Sequence, residues 1–123
     1  LLLGAKDAVA IDIYPNSVDV AYSNLALNGL PAENYHAFAG DILTDHALRS
    51  RLGTYDVVIA NIVADVIIGL SVFVRQFMKE NGTFICSGII LERLDEVTAA
   101  LERAGLTIVE IRRDQDWAAV TCR

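Results

Sequence analysis

Long apolar runs are missing from this 123-residue sequence. None approaches the roughly 20 residues that a membrane helix needs, so no membrane association is expected. No basic segment precedes an apolar stretch at the start, so no signal peptide is read and a cytoplasmic location is expected. Cysteine is scarce, with only Cys86 and Cys122, both in apolar strand-like segments. No CxxC or Cys/His spacing suggests zinc, and the expectation is two buried, reduced thiols and no metal site. Positive charge is also short: 10 Lys and Arg stand against 16 Asp and Glu, for a net charge of -6 and an isoelectric point near 4.7. Such a surface repels phosphate backbones, so a nucleic-acid partner is not expected, and a basic protein or an amine suits it better. Several motifs are absent as well. There is no G-x-G-x-x-G turn, no GxxxxGK phosphate loop, no GxSxG elbow and no HExxH pair.

What is present is apolar: 54% hydrophobic residues and a mean hydropathy of +0.40, which suggests a sheet buried on both faces. Ala8 to Ile13 reads as a strand. Pro15 then opens a helix that runs to Leu27, with Val18, Ala21 and Leu25 at helical spacing, and Asn28-Gly29 ends it. Tyr35 to Phe38 reads as a second strand, and Ala47 to Leu52 as a short helix. Tyr55 to Ile59 is the most strand-like stretch; Ala64 to Lys79 reads as a helix stopped by Asn81-Gly82. Thr83 to Ser87 is a further strand ending at Gly88, and Leu91 to Ala104 an amphipathic helix with Leu94, Val97 and Leu101 inward and Gly105 as its cap. Leu106 to Ile111 and Trp117 to Cys122 read as antiparallel strands joined by a polar turn, Arg112 to Asp116. Strands alternating with helices predict a parallel α/β sheet with an antiparallel strand added by the closing hairpin. Leu1-Leu2-Leu3-Gly4 reads as the last turn of a helix with a glycine cap; together with the lack of an initial methionine it predicts that the chain is a fragment of one partial domain, 1–123.

In an open α/β sheet, ligands sit beyond the carboxyl ends of the strands. Those ends carry Asp12, Gly40-Asp41, Asn61 and Ser87-Gly88. An acid at the tip of the first strand suits ribose hydroxyls, and its alternative is a charge at a helix N-terminus. Asp41 suits an adenine amino group, with Gly40 letting the base approach; the alternative is an ordinary Gly-Asp turn. Asn61 offers an acceptor and two donors that suit an amine nucleophile, or else it caps the next helix. Asp12, Asp41 and Asn61 are expected to line one nucleoside pocket. Among the aromatics, Tyr14, Phe38 and Trp117 are weighed as ring surfaces, with core packing the commoner fate. His36 and His46 lack partners at catalytic spacing, and Arg112 and Arg113 are expected in a solvated turn.

The segments GAKDAVAIDIYP, GDIL, YDVVIANIVADVI, NGTFICSGIILERLDEV and DWAAV together make the chain similar to the methyltransferases of large-subunit ribosomal protein L-eleven, the PrmA-like enzymes. The resemblance runs across nearly the whole chain, and its most specific piece is ANIVAD followed by SGI. It implies a Rossmann-like class I methyltransferase sheet of seven strands with the last reversed, its first strand and glycine-rich loop missing from this chain. It implies S-adenosyl-L-methionine as cofactor, a ribosomal protein as partner, and N-methylation of amino groups as the activity. It implies that Asp12, with Ile13, binds the ribose side of the cofactor. Gly40, Asp41 and Ile42 then lie near the adenine, and Asn61 beside the methionine end and the incoming amine. The family usually has a second acid two residues after the first; Tyr14 stands there in this chain. The alternatives are a class I methyltransferase for a small molecule or RNA, and a non-catalytic nucleotide-binding module.

Overall fold

The computed structural model describes all of residues 1–123, and the chain divides into two compact units, Leu1–Arg51 and Leu52–Arg123. Each has its own hydrogen-bonded sheet.

The first unit holds strand β1 (Ala8–Asp12), helix α1 (Pro15–Leu27), strand β2 (Tyr35–Ala39) and the short helix α2 (His46–Ser50). β1 and β2 are parallel, in a register that sets Ala8 opposite Tyr35 and Asp12 opposite Ala39. A parallel pair needs a crossover, and α1 supplies it. Pro15 opens α1 because its missing N–H is one the first turn leaves unpaired anyway. Asn28 and Gly29 close it: Gly29 takes φ 64°, its N–H donates to Ala26, and the Leu30 N–H donates to Leu25. That six-to-one bond marks a Schellman cap. Leu25 is buried, and Tyr22 packs edge-on to Tyr35, ring centroids 5.4 Å apart, while its hydroxyl accepts the Ala37 N–H. Leu1–Leu3 is not helical. It is a turn in which the Gly4 N–H donates to the Leu1 carbonyl and Gly4 takes φ 95°.

The second unit holds β3 (Tyr55–Asn61), α3 (Ala64–Ser71), β4 (Met78–Ile90), α4 (Leu94–Arg103), β5 (Ile108–Asp114) and β6 (Trp117–Cys122). The strand order is β3-β4-β6-β5; β3 and β4 run parallel, and β6 is antiparallel to both neighbours. Several expected boundaries shift. The helix expected from Ala64 to Lys79 stops at Ser71 and gives way to a 3-10 turn, Val74–Phe77. Its last two residues, Met78 and Lys79, are already strand, because Met78 pairs with Tyr55 before the register jumps to Val57 opposite Thr83. The helix expected from Leu91 to Ala104 opens with a 3-10 turn, Leu91–Arg93. Arg112 and Arg113 lie in β5 rather than in a turn, since only Gln115 and Asp116 connect β5 to β6 and Gln115 takes φ 51°.

The core belongs to one face of this second sheet. Phe84, Cys86, Ile89, Val120 and Cys122 are fully buried, together with Ile67 of α3 and Val97 and Leu101 of α4. Each large apolar side chain removed from water contributes about 1.5–3 kcal/mol. Arg93 ties α3 to α4, donating to Asp65 at 2.7 Å and to Glu96 at 2.6 Å. The other face of β3 is open: Val57 is 51% and Ile59 69% exposed. The expectation of burial on both faces therefore fails for this strand, because the unit's helices α3 and α4 cover one side only. Cys86 and Cys122 face the covered side, where burial pushes the Cys86 thiol up to about 12 and the Cys122 thiol up to about 11.

Candidate functional site at the strand ends

Two clusters of strand-end residues stand at carboxyl ends, one in each unit. In the first, β1 ends at Asp12 and β2 at Ala39, and the Gly40 N–H donates to the Asp12 carbonyl at 2.9 Å. Parallel pairing thus brings Asp12 beside Gly40-Asp41. Asp12 is exposed, and its Oδ1 accepts the Tyr14 N–H at 2.8 Å. That short turn orients the carboxylate and leaves Oδ2 without a protein partner. Ile13, 59% exposed, follows it as an apolar surface beside the acid.

Asp41 is more committed to its own loop. Oδ1 accepts the Leu43 N–H at 2.8 Å and Oδ2 the Thr44 hydroxyl at 3.0 Å. A carboxylate has about four lone-pair sites, so the group keeps acceptor capacity, but the turn reading is plainly realised. Ile42 is half-buried, and its carbonyl accepts from Arg49. Gly40 has a structural reason the sequence did not reveal. A Cβ there would stand 2.9 Å from Leu48 Cδ2, so the glycine makes room for the buried leucine of α2. Asp45 caps that helix by accepting the Leu48 N–H, a role not anticipated.

In the second unit Asn61 ends β3 opposite Ser87 of β4. It is exposed, and its carboxamide makes no hydrogen bond to the protein. The alternative of a helix cap does not hold: Val63 is the residue that precedes α3, with no side-chain cap bond. Gly88 lies directly against Asn61. It was legible in the sequence only as a small residue at a strand end.

The other residues weighed fall elsewhere. Tyr14 is 69% exposed just after Asp12, Phe38 lies under the Arg51 guanidinium at 4.4 Å, and Trp117 is 53% exposed opposite Ile90. His36 is exposed, and His46 sits against Arg49 within α2. Arg112 pairs with Glu110 at 2.9 Å. No helix is long and apolar enough to cross a membrane.

The profile of the ribosomal protein L11 methyltransferase family (PrmA) matches residues 1–123. The chain belongs to this family. Among curated relatives, the ribosomal protein L11 methyltransferase of Lachnoclostridium phytofermentans is 40% identical over 98% of this chain and 41% of its own length. That of Thermoanaerobacter pseudethanolicus is 40% identical over 98% of this chain and 37% of its own. The chain therefore spans about two fifths of the curated relatives it matches. Among solved structures, a ribosomal protein L11 methylase from Lactobacillus delbrueckii subsp. bulgaricus superposes with a TM-score of 0.87 at 29% identity, over 99% of this chain and 60% of that one. An Aeropyrum pernix fibrillarin with natively bound S-adenosyl-L-methionine shares the fold, with a TM-score of 0.76 at 16% identity. The architecture is the Rossmann-like class I methyltransferase α/β fold, mostly parallel, with the antiparallel β6 as its reversed strand.

Proposed function

We propose that the protein carrying this chain transfers a methyl group from S-adenosyl-L-methionine to amino groups of a ribosomal protein. Family membership supports the reaction class. The observation that carries the residue-level reading is Asn61: a carboxamide at the carboxyl end of a parallel strand, exposed, with no protein partner and no capping duty.

When bound, S-adenosyl-L-methionine supplies a methyl already activated by a sulfonium. The chain's own groups fit such a ligand. Asp12 accepts ribose hydroxyls through its uncommitted Oδ2, and Ile13 gives an apolar surface next to it. Gly40, Asp41 and Ile42 form the adenine side, Asp41 through lone pairs left over from its turn. Asn61 accepts a hydrogen bond from the incoming amine and aims its lone pair. Only a neutral amine attacks, and lysine amines have an ordinary pKa of about 10.4, so the site must favour the unprotonated form. A neutral carboxamide does so where a carboxylate would hold the proton. No general base is needed; alignment of reactants is worth roughly 7–11 kcal/mol in well-oriented cases.

The test is tritiated methyl transfer to purified ribosomal proteins by the protein carrying this sequence. Incorporation into one ribosomal protein is expected. Asp12→Ala should weaken S-adenosylhomocysteine binding in isothermal titration, and Asn61→Ala should lower kcat with little change in that binding. Label entering RNA or a small molecule, and no ribosomal protein, would overturn the substrate class.

A further inference from the structure

Near the carboxyl end of β4, one glycine lies against the end of β3. Gly88 takes φ 77°, in the left-handed region that favours glycine. A Cβ on residue 88 would stand 2.8 Å from Asn61 Oδ1, 3.3 Å from the Ile62 carbonyl oxygen and 3.5 Å from the Ile62 nitrogen. The end of β3 thus lies across the bare Cα of Gly88, and the Ile62 N–H donates to the Ser87 carbonyl at 3.3 Å to hold it there. The first atom that a methyl group at 88 displaces is the tip of the Asn61 side chain. Elsewhere in a protein that displacement is cheap, because an exposed carboxamide turns about its own bonds. The same holds here: the Asn61 carboxamide is exposed and makes no hydrogen bond of its own, so a methyl at 88 costs little at this contact and changes chiefly where the carboxamide stands.

We propose that Gly88 is a positioning residue: by lacking a side chain it leaves open the place from which Asn61 presents its carboxamide to the acceptor amine. This rests on the reading of Asn61 given above. Gly88 lies where the pairing of β4 with β6 breaks, between Cys86 and Ile89. The break lets Gly88 leave the ladder and take its left-handed conformation under Asn61, while Ile89 returns to the buried face.

The experiment pairs Gly88→Ala with Asn61→Ser, singly and together. In protein labelled with ¹⁵N at asparagine, Gly88→Ala should shift the Asn61 side-chain amide pair and leave those of Asn16 and Asn24 unmoved. In methyl transfer, Gly88→Ala should lower kcat by roughly 10- to 100-fold, the order that a misplacement of about 1 Å can cost, with KM for the cofactor little changed. Asn61→Ser has a shorter side chain, so adding Gly88→Ala to it should lower kcat no further. Equal losses from Gly88→Ala in both backgrounds would show that the glycine serves the fold alone and overturn the proposal. An Asn61 side-chain signal unmoved by Gly88→Ala would overturn it too. The spectrum needs no activity, so the proposal is judged even where the methyl-transfer reading fails.

Discussion

The two units hide apolar surface very differently. In Leu1–Arg51 the buried apolar side chains are Leu25 and Leu48, whereas Leu52–Arg123 buries Phe84, Ile67, Ile89, Leu101, Val97, Val120 and more. The first unit is a two-stranded parallel sheet with α1 across it; the second is a four-stranded sheet with two helices on one face. Two strands and a helix bury little, and a small sheet is marginal without further layers. Most of the residues proposed above to hold the cofactor stand on the first unit. A site on a lightly packed unit is cheap to rearrange, and low local stability is common where ligands bind.

The largest expected effect is on the well-packed side. Phe84→Ala should cost about 3–5 kcal/mol of unfolding free energy in urea, from lost transfer energy and the cavity left behind. Leu25→Ala should cost less, about 2–3 kcal/mol, because its surroundings relax more easily. Its loss of hydrogen-exchange protection should fall on β1 and β2 and spare β4 and β6. A Leu25 variant as damaging as the Phe84 variant, or one that strips protection from β4, would erase the contrast.

Titration sharpens the comparison next. Both raised thiols are in the second unit. A folded pKa above the unfolded value means that stability is intact below the ordinary thiol pKa of about 9.0 and falls as pH climbs toward about 12 for Cys86 and about 11 for Cys122. The slope approaches about 1.4 kcal/mol per pH unit for each thiol at most. Urea midpoints between pH 8 and 11 should drop, and Cys86→Val should flatten the drop. An unchanged slope in that variant would remove Cys86 as the cause.

The smallest effect runs the other way. Asp56, Asp65 and Glu96, also in the second unit, are held below the usual carboxylate range by hydrogen bonds from Lys79 and Arg93. Depressed acids contribute stability above their unfolded pKa and lose it as pH falls through the lower folded value. These groups are fully exposed, so the acid-side loss should be slight and should shrink further in salt. A steep, salt-insensitive acid transition in the second unit would contradict this.

Local chemistry was legible where one residue decides it. Pro15 and Gly29 bracket α1, Gly105 closes α4 at φ 80°, and Asp12 and Asn61 end the strands they were expected to end. Illegible was whatever depends on a distant partner. Ala64–Lys79 has helical composition throughout, but Met78 is drawn into β4 by pairing with Tyr55, more than twenty positions away. Arg112 and Arg113 look like turn residues, yet the ladder with β6 takes them as far as Asp114. That Leu48 packs beside Gly40 could not be read either, because it depends on where α2 returns.

The amino-acid order by itself determined the alternation of strands and helices, the strand-end acids and amide, and the family. Those follow from periodicity, caps and short motifs, which act over a few residues. Only the tertiary structure decided that the ladders form two sheets, that the core crowds one face of the second, and that Gly88 lies beneath Asn61. Each of these depends on which surfaces meet in space, and burial and close approach are properties of pairs, not of single positions.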